Sequence, residues 1–179
     1  MLNEQQLGEF IDQHFTSTLF RLETLASYGA NEDFHRYVAG QSGPTSTWPE
    51  VIRTEVAEGR YTYRVHVVRS PLTDYLRYEC EWCYVPNAAA GELIRVLDTS
   101  EQHKPAAVLD EDFWIIDDSI LIRMHYASDG EFVGASVADP QLLPQYRAAR
   151  DSAWTTATDF HDYWRRHPHY HRDRTQPAA

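Results

Sequence analysis

Near the start of the chain Leu7, Phe10, Ile11, Phe15, Leu19, Leu22 and Leu25 recur at steps of three or four. That spacing sets them on one face of a 3.6-residue turn and predicts a single long amphipathic helix ending at Gly29. A short helix over 32–38 follows, closing at Gly40. After the loop "GQSGPTST", Thr47 caps a third helix with Trp48 and Pro49 in its first turn and Gly59 at its end. The pattern then changes: "YTYRVHVVR" (61–69) is rich in β-branched and aromatic residues and reads as a strand. Ser70-Pro71 reads as a helix start, and Leu72, Tyr75, Leu76, Cys80 and Cys83 continue at helical steps until Pro86-Asn87 stops them.

Four further apolar runs, "ELIRVL", "FWII", "SILIRMHY" and "FVGASV", read as strands, the last two joined by the turn signal Asp129-Gly130. Asp139-Pro140 opens a closing helix with Leu142, Leu143, Tyr146, Ala149, Ala153, Trp154, Ala157 and Phe160 on one face. The expected fold is α+β: a single domain over 1–166 with a mixed, about five-stranded sheet, N-terminal helices and a closing C-terminal helix. Beyond it, 167–179 reads as a mobile His/Arg-rich tail.

Composition bounds the function. At 179 residues and 42% hydrophobic, the chain suits one domain with one sizeable core. No basic-then-apolar leader is visible, and no apolar run approaches the roughly 20 residues that span a bilayer. The expectation is a cytoplasmic protein with no membrane partner and reduced cysteines. A formal charge of −11 argues against a surface that tracks phosphate backbones. The end of the chain departs from that acidity, with Arg165, Arg166, Arg172 and Arg174 set against Asp162 and Asp173. With His167, His169 and His171 at alternate positions and Tyr163, Trp164 and Tyr170 interleaved, the tail could lean on nucleic acid, and a solvated end explains it as simply.

Both cysteines stand in "CEWC". Placed deep in a helix and flanked by Glu79 and Glu81, they lack the helix N-terminus or cations that lower a thiol pKa. No second pair completes a zinc set, so packing is the expected role. The segment "RVHVVRSPLTDYLRYE" gathers Arg64, His66, Arg69, Asp74, Tyr75, Arg77 and Glu79 where a strand ends and a helix begins, a place where α/β sheets bind ligands. Ion pairs on a solvated face would account for the same residues. In "LDEDFWIIDDSILI", Asp112 and Asp117 stand at opposite ends of a strand, which argues against a carboxylate metal cage; Asp117-Asp118 reads plainly as a hairpin turn. With no phosphate-binding glycine loop, nucleophile elbow or HExxH, no catalytic residue, metal or cofactor is expected.

In the ordering of "RLETLASY", "RVHVVRSPLTDYLRYE", "AGELIRVL", "DFWIIDDSILI" and "ARDSAWTTA" the chain resembles an actinobacterial domain-of-unknown-function family over about residues 15–165. That resemblance implies a regulatory role beside a helix-turn-helix regulator and transfers no catalytic residue. A second resemblance is to degenerate phospholipase D-like domains. On their His-x-Lys-x4-Asp spacing Asp117 takes the aspartate position, with Asp112 replacing the lysine and Asp110 the histidine, so the nucleophile and its supporting cation are missing. The combined expectation is a non-enzymatic ligand- or partner-binding module. An anionic ligand would be held by Arg64, His66, Arg69, Tyr75 and Arg77 with the Asp112, Asp117 and Asp118 edge. The alternative is a small hydrolase or biosynthetic enzyme using His66 with a carboxylate.

Overall fold

The computed structural model describes residues 1–172. Three parallel strands, β1 (Thr18–Glu23), β2 (Tyr61–Val68) and β3 (Leu93–Asp98), form the middle of one sheet. β4 (Phe113–Ile116), β5 (Ile120–Tyr126) and β6 (Phe132–Val137) extend it antiparallel beyond β1, and β7 (Thr158–Asp159) pairs antiparallel with β3 at the other edge. The order is β6-β5-β4-β1-β2-β3-β7. This is the mixed α+β architecture expected, with seven strands rather than about five.

One face of the sheet is apolar through its middle, with Arg95 and Arg123 toward its edges. Phe20, Leu22, Val65, Leu97, Phe113 and Ile115 pack beneath α6 (Leu143–Thr156), which meets them with Leu143, Tyr146, Ala149 and Ala153. Ala149 and Ala153 are fully buried, so small side chains let the helix axis approach the strands. The other face carries α1 (Glu4–His14), α2 (Glu32–Val38), α3 (Trp48–Ala57), α4 (Asp74–Tyr78) and α5 (Val85–Ala90), with α7 (Phe160–Arg166) at the β3 edge. Leu7 and Phe15 cover Leu19, Ile116 and Ile122 at one end. Leu72, Leu76, Cys80 and Tyr84 cover Ile94 and Val96 at the other. Between these covers runs a strip of β1 and β2 that is charged.

Several sequence expectations need correction. The single helix to Gly29 is two elements: α1, opened by an Asn3–Gln6 capping box, and β1. β1 is buried on both faces, and Leu19 and Leu22 mimic a helical step. Ser70 does not cap a helix; it donates to Asp98, and Thr73 caps α4 by accepting from Leu76 N–H. Pro86 does not end the helix either. Glu79–Tyr84 forms a π-helical turn in which Val85 N–H reaches back to Cys80 C=O. Pro86 then enters at the start of α5, where a missing N–H is tolerated, and the run ends at Gly91 with φ 117°. The closing helix is interrupted by β7, which separates α6 from α7.

The expected mobile tail is not what its described part shows. His167 and Tyr170 are buried, Arg77 Nε donates to Tyr170 C=O at 3.1 Å, and Arg172 lies 5.0 Å over the Tyr37 ring. Apolar contact and returned hydrogen bonds hold this segment where composition alone suggested solvent. Residues 173–179, the rest of that expected tail, lie outside the described residues.

Candidate ligand-binding cleft

Parallel pairing of β1 and β2 sets Arg21 beside Arg64 and Glu23 beside His66, all four on the helix-bearing face. Four ionisable side chains on adjacent central strands must be compensated locally, and each is met differently.

Arg64 is fully engaged. Its Nε and Nη2 donate to Glu92 Oε1 at 2.8 and 2.6 Å, and its Nη1 donates to Glu23 Oε1 at 2.9 Å. The far oxygen of Glu92 accepts from Asn87 Nδ2 at 3.0 Å. Burial pushes the guanidinium pKa down, but the two carboxylates outweigh it and hold the charge firmly.

His66 is 1% exposed, and its partners define its protonation. Nε2 lies 2.9 Å from the Leu25 carbonyl, which only accepts, so Nε2 carries a proton. Nδ1 lies 2.7 Å from the Tyr84 hydroxyl, whose one proton goes to Glu23 Oε2 at 2.9 Å. Nδ1 must therefore donate as well, and the ring is an imidazolium. Burial opposes that charge, but Glu79, Glu23 and the Leu25 carbonyl prevail and raise the pKa to about 9. A ring with both nitrogens protonated has no lone pair to act as a base.

Arg21 is the exception. Its guanidinium lies 4.5 Å over the Trp114 ring and 5.8 Å from that of Trp48. Among the described residues it has no carboxylate within ion-pair distance, and its buried Nε has no hydrogen-bond acceptor. Burial, then the nearby Arg64 charge, lower its pKa. Arg21 lines a cleft of about 800 Å³ together with Trp48, Trp82, Trp114, Glu79 and Tyr84. Glu79 Oε2 is buried and makes no hydrogen bond among the described residues; it meets the His66 Nδ1 charge at 3.4 Å. Cavities of this size, mostly apolar with a few convergent polar groups, are where small molecules bind.

The eight residues expected to form a site divide in two. Arg64, His66 and Asp112 come together: Asp112 accepts from Thr24 N–H at 2.8 Å and from Tyr28 Oη at 2.6 Å, and Tyr28 packs 5.9 Å from the His66 ring. Tyr75 borders them through Tyr28, at 6.4 Å between ring centroids. The other four lie elsewhere. Arg69 is exposed at the end of β2 and lines a separate hollow with Lys104 and Asp110. Arg77 is spent on the tail and on Asp74, 3.6 Å away.

Asp117 and Asp118 stand at the opposite end of the sheet and make the expected hairpin turn, with φ of 47° and 55°. Asp117 accepts from the backbone N–H groups of Thr16, Ser17 and Thr18, and Asp118 pairs with Arg150 at 2.6 Å. Both cysteines are free, Cys80 buried and Cys83 half-buried. Burial and the Glu79 charge push the Cys83 thiol up to about 12, in line with a packing role.

The sequence reading missed Arg21, Glu23 and Glu92. The alternation Phe20, Arg21, Leu22, Glu23 would have flagged the first two had this stretch been taken as a strand. Glu92 sits just beyond Gly91, where no local pattern points at Arg64.

No curated protein matches the chain. Among solved structures, a phospholipase D family member, Nuc from Salmonella typhimurium, is similar, with a TM-score of 0.49 and 11% sequence identity over 81% of this chain and 82% of that one. A family model described as a domain of unknown function, DUF6879, matches residues 5–165, so the chain belongs to that family.

Proposed function

We propose that the protein is a non-enzymatic module that binds a small anionic ligand in the cleft over β1 and β2, and that it works with a helix-turn-helix transcription regulator. The observation that carries the ligand reading is Arg21, a half-buried guanidinium between aromatic walls whose buried Nε has no acceptor and which has no carboxylate within ion-pair distance among the described residues. Leaving a buried donor unmet costs about 1–3 kcal/mol, and a charged one more. An arriving carboxylate or phosphate recovers that energy through charge-assisted hydrogen bonds, while Trp48 and Trp114 offer faces to a planar apolar group. Arg64, the cation expected to do this, is already neutralised by two glutamates.

The enzymatic reading loses its base, because His66 holds both protons. The tail loses much of its claim on nucleic acid, because Tyr170 and Arg172 are committed to the body. The regulator partnership rests on the family resemblance alone. A thermal-shift panel of nucleotides, phosphorylated metabolites and aromatic carboxylates tests the ligand reading. The expected result is stabilisation by one anionic class, abolished by Arg21→Met. No shift with any anion, or one indifferent to Arg21→Met, would sink it. Co-purification of a helix-turn-helix regulator, changed by the active compound, is the expected outcome for the partnership.

A further inference from the structure

We propose that Glu23, His66 and Glu79 form a site for one divalent transition-metal ion of the zinc, manganese or cobalt class at the floor of the cleft. Their three donor atoms lie within 4.8 Å of one another. His66 Nδ1 is 3.4 Å from Glu79 Oε2 and 3.8 Å from Glu23 Oε2. Ligand atoms about 2.1 Å from a common ion stand about 3.0–3.4 Å apart in octahedral or tetrahedral geometry, so small side-chain shifts complete the sphere.

Independent features point to the same spot. Glu79 is 8% exposed, and its Oε2, which makes no hydrogen bond among the described residues, stands 3.4 Å from His66 Nδ1. The outer contacts are those that orient metal ligands: His66 Nε2–H donates to the Leu25 carbonyl, leaving Nδ1 to face the site, and Arg64 braces Glu23. The π-helical turn brings Glu79 and Tyr84, its first and last residues, to the same point, and such turns recur at functional sites. Tyr84 Oη, 2.7 Å from Nδ1 and 2.9 Å from Glu23 Oε2, is a fourth donor atom within reach.

Charge favours the ion as well. The buried carboxylates of Glu23, Glu79, Glu92 and Asp112 face three cations, Arg21, Arg64 and His66. A dication that takes the place of the Nδ1 proton, which leaves to solvent, removes the excess of negative charge. One imidazole with two carboxylates suits borderline ions, and the absence of a thiolate disfavours soft ones. Glu79 and Tyr84 also line the cleft, which gives the ion a path in. No sequence motif announces the site because its ligands come from β1, β2 and the π-helical turn.

The test needs no cleft ligand, so its outcome is separate from that of the anion reading. Chelator-stripped protein is titrated with Co(II), Zn(II) and Mn(II). The expected result is one ion per chain at micromolar metal, and a visible d–d band without thiolate charge transfer. The near-isosteric Glu79→Gln should weaken binding ~10-fold or more, while Asp118→Asn, at the far end of the sheet, leaves it unchanged. Failure to retain Zn(II), Mn(II) or Co(II), a thiolate band, or binding indifferent to Glu79→Gln in a folded variant would each overturn the proposal.

Discussion

Arg21 and Arg64 are cross-strand neighbours of the same residue type with opposite environments. Arg64 is enclosed by Glu23 and Glu92, so removing it strands two carboxylates. Arg64→Met is expected to lower unfolding stability by about 3–5 kcal/mol, read from urea denaturation. Arg21 has no ion-pair partner among the described residues, and Glu92, Glu23 and Glu55 act on its half-buried charge only from a distance. Arg21→Met should leave stability unchanged or raise it by about 0.5–2 kcal/mol while ligand-induced stabilisation disappears. A loss as large as that of the Arg64 variant would make Arg21 a structural residue. Cys80 and Cys83 extend the same logic to thiols: both should resist a disulfide reagent while the fold is intact, and a fast thiol near neutral pH would contradict their burial.

At the scale of elements, the β4–β5 turn does more than reverse the chain. Asp117 gathers the N–H groups of Thr16, Ser17 and Thr18 and so ties the start of β1 to the end of β4. Burial works against ionisation of its carboxyl, but these hydrogen bonds outweigh it and hold the pKa well below the usual carboxylate range. A carboxyl depressed in the folded state contributes stability that is fully present above its unfolded pKa, about 3.9. That contribution drains away as pH falls below that value. Asp117→Asn should therefore be less stable than wild type at pH 7, with the gap narrowing as the medium is acidified below about 4. A gap independent of pH would place the role of Asp117 in backbone conformation alone. The π-helical turn is the other element with a double task, since it carries Pro86 through a helix and turns Glu79 and Tyr84 onto the charged strip.

Across the whole molecule, the last described residues act as a strap. His167 Nε2 meets Glu101 Oε1 at 2.6 Å, Tyr170 is 7% exposed, and Arg172 N–H donates to Glu81 Oε2 at 3.1 Å. Tyr170→Ala is expected to cost about 2–4 kcal/mol, as loss of a buried aromatic does. Truncation after Arg166 should lower the melting temperature at least as far. An unchanged melting temperature in both would mean that the strap contributes nothing to the body.

How much was legible in the sequence depended on the range of the interaction. The helices 32–38 and 48–57, the strands from 61 and the meander through Val137 follow from periodicity and turn residues, contacts within a few positions, although Thr47 makes no side-chain capping hydrogen bond. The placement of Asp112 and Asp117 at opposite ends of a strand, and of both cysteines on a helix, could be read the same way. Only tertiary structure decided that "TLFRLE" is a central strand, because Leu19 and Leu22 continue the helical step of the preceding residues while Phe20, Arg21, Leu22 and Glu23 alternate as a strand would. Tertiary structure alone also chose between the cations, satisfying Arg64 with glutamates that lie 41 and 28 residues away and leaving Arg21 with none. Charge in sequence is local and countable, whereas whether a charge is matched depends on which strands lie side by side.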